Sequence, residues 1–319
     1  MQRRRGPAGS EIAGLGHYQP ERILTNDELA TMMQTNDDWI RRRTGIVTRH
    51  IAGATDTVAS MATAAAAMAL QDARVDSSEI DLVIVATTSN DERTPSAAGR
   101  VSASLGLRAP AVLDINTACS GFEYALGLAD QAIAAGSATN ALVIGSEKLS
   151  DFTDWTDRST AVLTADGAGA VVVRGGDEVR IGPVAWSSAP DLVEAVLIAP
   201  PTNMFTQQGQ NIYRWALQEA AGHARKAIEA SGIDIADIRV LACHQANLRI
   251  IEPLAELLGL DDRIVVTDIT ESGNTSAASV PLGLSKWWHA GRIPRDAPAL
   301  LFGFGGGFTF AGQVVITPR

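Results

Sequence analysis

Ala111-Val112-Leu113-Asp114-Ile115-Asn116-Thr117-Ala118-Cys119-Ser120-Gly121-Phe122 reads as a strand that runs into a helix with a thiol at the corner. The first five residues favour a strand, and a helical pattern starts at Ser120. At a helix N-terminus the unpaired N–H groups and the macrodipole favour a thiolate over a thiol. Cys119 is therefore a candidate nucleophile, and Ser120 and Gly121 leave room for a substrate to approach. The competing reading is a small buried hydrophobe, the usual role of a free cysteine. The other cysteine, Cys243, ends a strand and fits that quieter role.

Outward from this corner, apolar strands and helical stretches alternate. Strands are expected over 80–86, 111–115, 141–144 and 170–173, with helices over 57–73, 95–105 and 120–136 between them. The second half repeats the scheme, with strands near 179–187, 238–243, 263–268, 297–302 and 309–317. Helices are expected there near 210–231, 247–258 and 275–291. Near-continuous apolar strands separated by helices predict an α/β fold whose sheets are buried on both faces. The similar order of elements predicts a duplication. Its parts are a disordered basic leader over 1–10, a half over 11–177 and a half over 178–319. Sequence similarity between the halves is weak.

The chain has 319 residues, 46% hydrophobic and 19% charged, enough for a large buried core. A net charge of −10 argues against a nucleic-acid partner. It leaves room for a local basic patch that binds a phosphorylated ligand. Two cysteines cannot build a disulfide framework, which points to the cytoplasm. No apolar run is long enough for a membrane span, so no membrane association is expected.

Three further segments carry chemistry. His244, in Cys243-His244-Gln245-Ala246-Asn247, ends a strand and precedes a helix, so it is expected at the corner of the second half that matches Cys119. No second histidine or acid stands at metal-ligand spacing, so no metal site is expected. Asn274, in Gly273-Asn274-Thr275-Ser276-Ala277-Ala278-Ser279, is either a turn residue or an amide donor aimed at a developing oxyanion. Gly303-Phe304-Gly305-Gly306-Gly307-Phe308 is either a hairpin turn or a place where backbone N–H groups meet a ligand. No Gly-Lys-Ser/Thr follows, so it is not a P-loop. Trp39-Ile40-Arg41-Arg42-Arg43 is either a solvated charge run or an aromatic face with guanidinium groups for adenine and phosphate.

Together, and in this order, these blocks resemble the β-ketoacyl-acyl-carrier-protein synthase III family. The resemblance runs from Gly14-Leu15-Gly16 and Asp38-Trp39 through Thr44-Gly45-Ile46 to the glycine run before the last strand. It implies a thiolase-like fold of two duplicated halves, with buried mixed sheets and helices in layers. It also implies a Cys119, His244 and Asn274 triad, with the backbone N–H groups of Cys119 and Gly306 as oxyanion hole. The implied substrates are acyl-CoA and malonyl-acyl-carrier protein, with no permanently bound cofactor, and the implied assembly is a homodimer. Trp39, Arg43, Arg158 and Asn247 resemble coenzyme A contacts, and Arg214 and Arg249 resemble contacts to the carrier protein. Thr94, Leu149, Thr164 and Phe304 fall at acyl-pocket positions. Thr94, which the resemblance places across a dimer interface, and Thr164 stand where relatives using short primers often carry Phe. A wider, more polar acyl pocket is expected, unless Phe205 or Leu149 refills the space. The segment 188–210 is shorter than in many relatives and is expected to alter a loop over the site. Two alternatives stay open on the residues alone: acyl transfer to a hydroxyl or amine without condensation, and a non-catalytic partner subunit.

Overall fold

The computed structural model describes residues 6–319. In chain order the strands are β1 (Gly9–Tyr18), β2 (Arg22–Thr25), β3 (Thr48–Ile51), β4 (Leu82–Ala86), β5 (Ala111–Ile115), β6 (Asn140–Lys148), β7 (Asp166–Gly176), β8 (Ala185–Ser188), β9 (Val196–Ile198), β10 (Phe205–Gln207), β11 (Val240–Cys243), β12 (Ile264–Val265), β13 (Pro298–Phe304) and β14 (Thr309–Ile316). The helices are α1 (Asn26–Met32), α2 (Asp37–Thr44), α3 (Val58–Ala73), α4 (Ala97–Ser104), α5 (Gly121–Ala134), α6 (Gly209–Trp215), α7 (Ala221–Ser231), α8 (Leu248–Leu258), α9 (Ile269–Ser272) and α10 (Ser279–His289).

One sheet runs β1-β7-β6-β4-β5 and the other β8-β14-β13-β11-β12. In each, the last three strands pair in parallel and the first two join antiparallel. The duplicated α/β architecture lies in this matched order. Strands β4, β6, β11 and β13 are apolar on both faces because helices cover both faces. α5 and α10 occupy the middle layer between the two sheets. α3 covers the outer face of the first sheet, and α7 packs against β13 and β14 of the second.

The alanine run of α3 has a packing cause. Gly14 and Gly16 of β1 face this helix so closely that a Cβ would lie 2.3 Å from Ala73 N and 2.1 Å from Ala65 O. Small residues on both surfaces let strand and helix backbones nearly touch.

Several expectations need correction. The leader does not extend through residue 10. Gly6 N–H donates to Ala134 O, Gly9 and Ser10 belong to β1, and Ser10 is buried. Residues 1–5 lie outside the described part. β1 itself, the antiparallel β2–β3 pair, α1 and α2 carried no clear periodic signal. The strand expected over 179–187 is shorter, with Ile181 making only an isolated bridge to Val315 before β8. The one over 263–268 shrinks to Ile264–Val265. The helix near 210–231 runs as α6, a π-helical turn at Ala216–Ala220, and α7.

The most consequential correction concerns the matching corners. Cys119 follows β5, whose counterpart by sheet order is β12, and the segment after β12 carries Asn274. Ala118 and Ser276 each have φ 47 and each begin a short 3-10 turn before the central helix. Cys119 therefore corresponds to Ala277. His244 follows β11 and matches the position after β4.

Candidate active site

Cys119 sits in the 3-10 turn Ala118–Ser120 that leads into α5. Its neighbour Ala118 takes a left-handed conformation, which turns the chain sharply from strand to helix. The glycine run that follows β13 lies directly against the thiol. A Cβ on Gly305 would stand 2.6 Å from both Cys119 Cβ and Sγ, so only glycine fits. Gly306 N–H and the Ser276 side chain donate toward the sulfur and pull its pKa down, as does the Cys119 N–H. Burial outweighs them and pushes the thiol up to about 11. The helix terminus thus supplies donors without making the resting group a thiolate.

His244 is buried, and burial pushes its imidazole down to about 3, so the ring is neutral at physiological pH. Nδ1 lies 2.8 Å from Ser279 Oγ, and the ring of Phe304 stands edge-on at 5.8 Å between centroids. Gln245 anchors the same turn. Its amide donates to Cys243 O and Val266 O, and its Oε1 accepts from Ile269 N–H.

Asn274 is fixed at both ends. Its N–H donates to Leu163 O at 2.8 Å, and its carbonyl accepts from Ala165 N–H at 3.1 Å. The side-chain Oδ1 accepts from Ser276 N–H at 2.8 Å, which leaves the Nδ2 donors for the cavity.

Beneath these groups lies Glu147, fully buried. It accepts from Ser89 Oγ at 2.5 Å, Thr87 Oγ1 at 3.1 Å, Thr88 N–H at 3.1 Å and Ala277 N–H at 3.4 Å. Burial pushes its carboxyl up, and its charge adds to the upward shift of Cys119.

Three cavities join at this point. One of about 310 Å³ surrounds Cys119 and includes Asn116, Leu149, Val196, Ile198, Phe205 and Gly306 on its wall. One of about 110 Å³ is shared by Cys119, His244, Asn274 and Phe304. One of about 330 Å³ opens outward between Trp39, Arg43, Arg158, Asn247 and Arg249. Adjacent cavities share wall residues: Cys119 and Asn274 join the first two, Tyr213 and Asn247 the last two. The three cavities therefore lie side by side, from the basic, aromatic mouth to the thiol and past it.

The expected site residues divide by placement. Cys119, His244, Asn274 and Gly306 converge, and Leu149 lines the inner cavity. Thr164 does not reach it: it is buried and its hydroxyl donates to Thr160 O at 3.3 Å. Thr94 is exposed, beside a cis proline, and lines none of these three cavities. Phe304 belongs to the His244 wall, not the acyl side. The Arg158 guanidinium lies 4.5 Å over the Trp39 ring, and Arg43 lies 5.9 Å from it. Asn247 lines the mouth with its amide engaged: Oδ1 caps α8 at Arg249 N–H, and Nδ2 donates to Arg43 O. Arg249 and Arg214 are exposed, Arg249 at the mouth and Arg214 at the end of α6.

Sequence reasoning assigned no role to Ser276, Ser279, Thr88 or Glu147. Ser276 and Ser279 stood within the quoted Asn274 segment, but small polar residues beside a turn carry no distinguishing pattern. Val196, Ile198 and Phe205 come from the β9–β10 hairpin, inside the segment expected to alter the loop over the site. Among the described residues no group of three His, Cys, Asp or Glu side chains could hold a metal ion.

Comparison with known proteins gives this geometry a family. Residues 113–190 match the model for 3-oxoacyl-[acyl-carrier-protein] synthase III, and residues 228–316 match its C-terminal model. β-Ketoacyl-[acyl-carrier-protein] synthase III 4 of Streptomyces coelicolor is 52% identical over 97% of this chain and 99% of its own length. Synthase III 2 of Streptomyces avermitilis is 51% identical over the same shares. A priming β-ketosynthase from a polyketide biosynthetic pathway superposes with a TM-score of 0.96, at 35% identity over 100% of this chain and 99% of that one. The 3-oxoacyl-[acyl-carrier-protein] synthase III of Aquifex aeolicus gives 0.92 at 39% identity, covering 97% and 100%. The chain belongs to the 3-oxoacyl-[acyl-carrier-protein] synthase III family of condensing enzymes.

Proposed function

We propose that this chain transfers an acyl group from acyl-CoA to Cys119 and condenses it with malonyl-acyl-carrier protein, releasing CO2 and a 3-ketoacyl thioester. The observation that carries this reading is the row of adjacent cavities from the Trp39 and Arg158 mouth, past His244 and Asn274, to the thiol. A long thioester can enter from the mouth, meet the nucleophile midway and leave its acyl chain in the inner cavity.

In the first step the Cys119 sulfur attacks the thioester carbonyl. The N–H groups of Cys119 and Gly306 receive the oxyanion. CoA leaves as a thiol, taking up the proton that Cys119 loses, so the exchange is proton-neutral. In the second step the malonyl carboxylate leaves as CO2. Its electron pair forms an enolate whose oxygen takes hydrogen bonds from His244 Nε2–H and Asn274 Nδ2–H. The enolate carbon attacks the acyl-Cys carbonyl, and Cys119 departs and recovers a proton. Neutral donors suffice for both steps.

Trp39, Arg43 and Arg158 hold the nucleotide end of CoA. Arg158 and Trp39 are stacked on each other, so an adenine entering between them needs a gap of about 7 Å, two contacts of 3.5 Å. Arg249 and Arg214 meet the acidic carrier protein. The inner cavity, about 310 Å³, leaves room for primers longer than acetyl.

The assembly we infer is a homodimer. β5 is an edge strand, and its Val112 and Leu113 are 40% and 36% exposed. An uncovered apolar edge invites pairing with a second copy. Thr94, also exposed, then approaches the partner's cavity. No described helix is long and apolar enough to cross a membrane. Two free cysteines suit a reducing compartment, the cytoplasm.

The test is decarboxylation of malonyl-acyl-carrier protein, followed as CO2 release. Wild type is expected to decarboxylate, and Asn274→Ala is expected to lose most of that rate. Full turnover by Asn274→Ala refutes the condensing role and favours acyl transfer to a hydroxyl or amine.

A further inference from the structure

We propose that Ser279 is a positioning residue that holds His244 in the Nε2–H tautomer and so aims an N–H donor into the reaction cavity. The proposal rests on the reading of His244 as a hydrogen-bond donor to the enolate.

Ser279 is 2% exposed and His244 is 3% exposed, so neither has free access to water. The hydroxyl of Ser279 lies 2.8 Å from His244 Nδ1 and accepts from Gln245 N–H at 3.3 Å. Among the described residues these are its only hydrogen-bond partners. A hydroxyl has a single hydrogen, and Gln245 N–H is a donor, so the only acceptor in reach of that hydrogen is Nδ1. If Nδ1 carried the imidazole proton instead, the hydroxyl hydrogen would be buried without an acceptor. The satisfied arrangement has Ser279 O–H donating to Nδ1, which leaves the ring proton on Nε2.

Geometry makes this consequential. Burial keeps the ring neutral, so it carries one proton and the tautomer decides which nitrogen can donate. The ring lines the cavity shared with Cys119 and Asn274, and with Nδ1 taken up by Ser279 the nitrogen left for that cavity is Nε2. Phe304 stands edge-on to the ring and restricts its rotation. Ser279 sits at the start of α10, a central helix packed against both sheets, so the hydroxyl is held by a rigid element. A His244 locked in this form has no lone pair at Nε2 and cannot accept the Cys119 proton during acylation. That assigns the ring to the decarboxylation step.

The experiment uses the full chain labelled with 15N-histidine. The His244 signals are identified by their loss in His244→Gln. Wild type is expected to show a protonated, pyrrole-type Nε2 and an unprotonated, pyridine-type Nδ1. A protonated Nδ1 overturns the proposal, and this reading needs no variant at the serine. In Ser279→Ala, CO2 release from malonyl-acyl-carrier protein is expected to fall about tenfold more than CoA release during acylation of Cys119. Ser279→Thr, which keeps the hydroxyl, is expected to restore the wild-type ratio. Equal losses in both half-reactions would mean that the serine serves only packing, which refutes the proposal. If wild type shows no decarboxylation, the condensing function fails while the tautomer reading is still decided by the spectrum.

Discussion

Replacing Gly305 by alanine tests how closely the nucleophile is held. The added Cβ would stand 2.6 Å from Cys119 Cβ and Sγ, where unstrained contacts are about 3.5–4.0 Å. Gly305 N–H donates to Thr309 O at 3.1 Å, which ties the β13 backbone in place. The shift of about 1 Å therefore falls largely on the thiol. Gly305 itself is extended, at φ 164, so alanine meets no backbone penalty and the contact is the whole defect. A misplacement of about 1 Å at a reacting group costs about 100-fold in rate, or about 2.7 kcal/mol of barrier. Overpacking should also lower stability by about 1–3 kcal/mol. The assay is stopped-flow detection of CoA thiol released during acylation, with a thermal melt alongside. Gly176→Ala is the control, because nothing lies within 4 Å of its added Cβ. If Gly305→Ala acylates within about threefold of wild type, the close-packing argument is wrong.

Three further predictions concern other parts of the molecule. Glu123 is fully buried with both carboxylate oxygens unpartnered among the described residues, and burial raises its pKa well above 4.5. The folded form keeps the proton while the unfolded form releases it above about 4.5, so stability falls as pH rises, by up to about 1.4 kcal/mol per pH unit until the folded carboxyl titrates. Glu123→Gln should lose this slope, and parallel melting curves for both proteins from pH 5 to 8 would contradict it. Arg158→Ala should raise KM for acyl-CoA about fivefold, a loss of about 1 kcal/mol of stacking, and spare KM for malonyl-acyl-carrier protein; equal changes in both KM values would count against a nucleotide role. Leu113→Asp, on the exposed β5 edge, should convert a dimer to monomer in sedimentation, and an unchanged sedimentation coefficient would remove β5 from the interface.

The first three residues of the inner constellation were legible because each announces itself locally. Cys119 ends a strand beside small residues, His244 ends another, and Asn274 sits in a turn of glycine, serine and alanine. The sheet strands were legible too, since burial on both faces leaves an uninterrupted apolar run. What failed was anything set by distant neighbours. Thr164 looked like a pocket residue by resemblance, yet its hydroxyl turns back to Thr160 O and an isolated backbone bridge pairs it with Asn274. His244 looked like the counterpart of Cys119 because both end strands; only the sheet order shows that the counterpart lies after β12. A hint was present in Thr117-Ala118-Cys119-Ser120 against Thr275-Ser276-Ala277-Ala278, but four residues of similar size do not establish a register. Ser279 was silent for the same reason: its importance lies in a hydrogen bond to a residue 35 positions away. At Cys119 desolvation pushes the thiol up by more than the nearby donors pull it down, a balance that the helix-terminus reading of the sequence does not contain.

The central claim is that Cys119 carries an acyl group that ends on a carrier-bound ketone. The direct measurement is intact-mass analysis of the protein after exposure to a mixture of acyl-CoAs, then again after malonyl-acyl-carrier protein is added. One acyl adduct per chain should form, be absent in Cys119→Ala, and disappear on the second addition as a 3-ketoacyl-carrier protein appears. An adduct that persists in Cys119→Ala, or one that clears without any gain in mass on the carrier protein, would contradict the account.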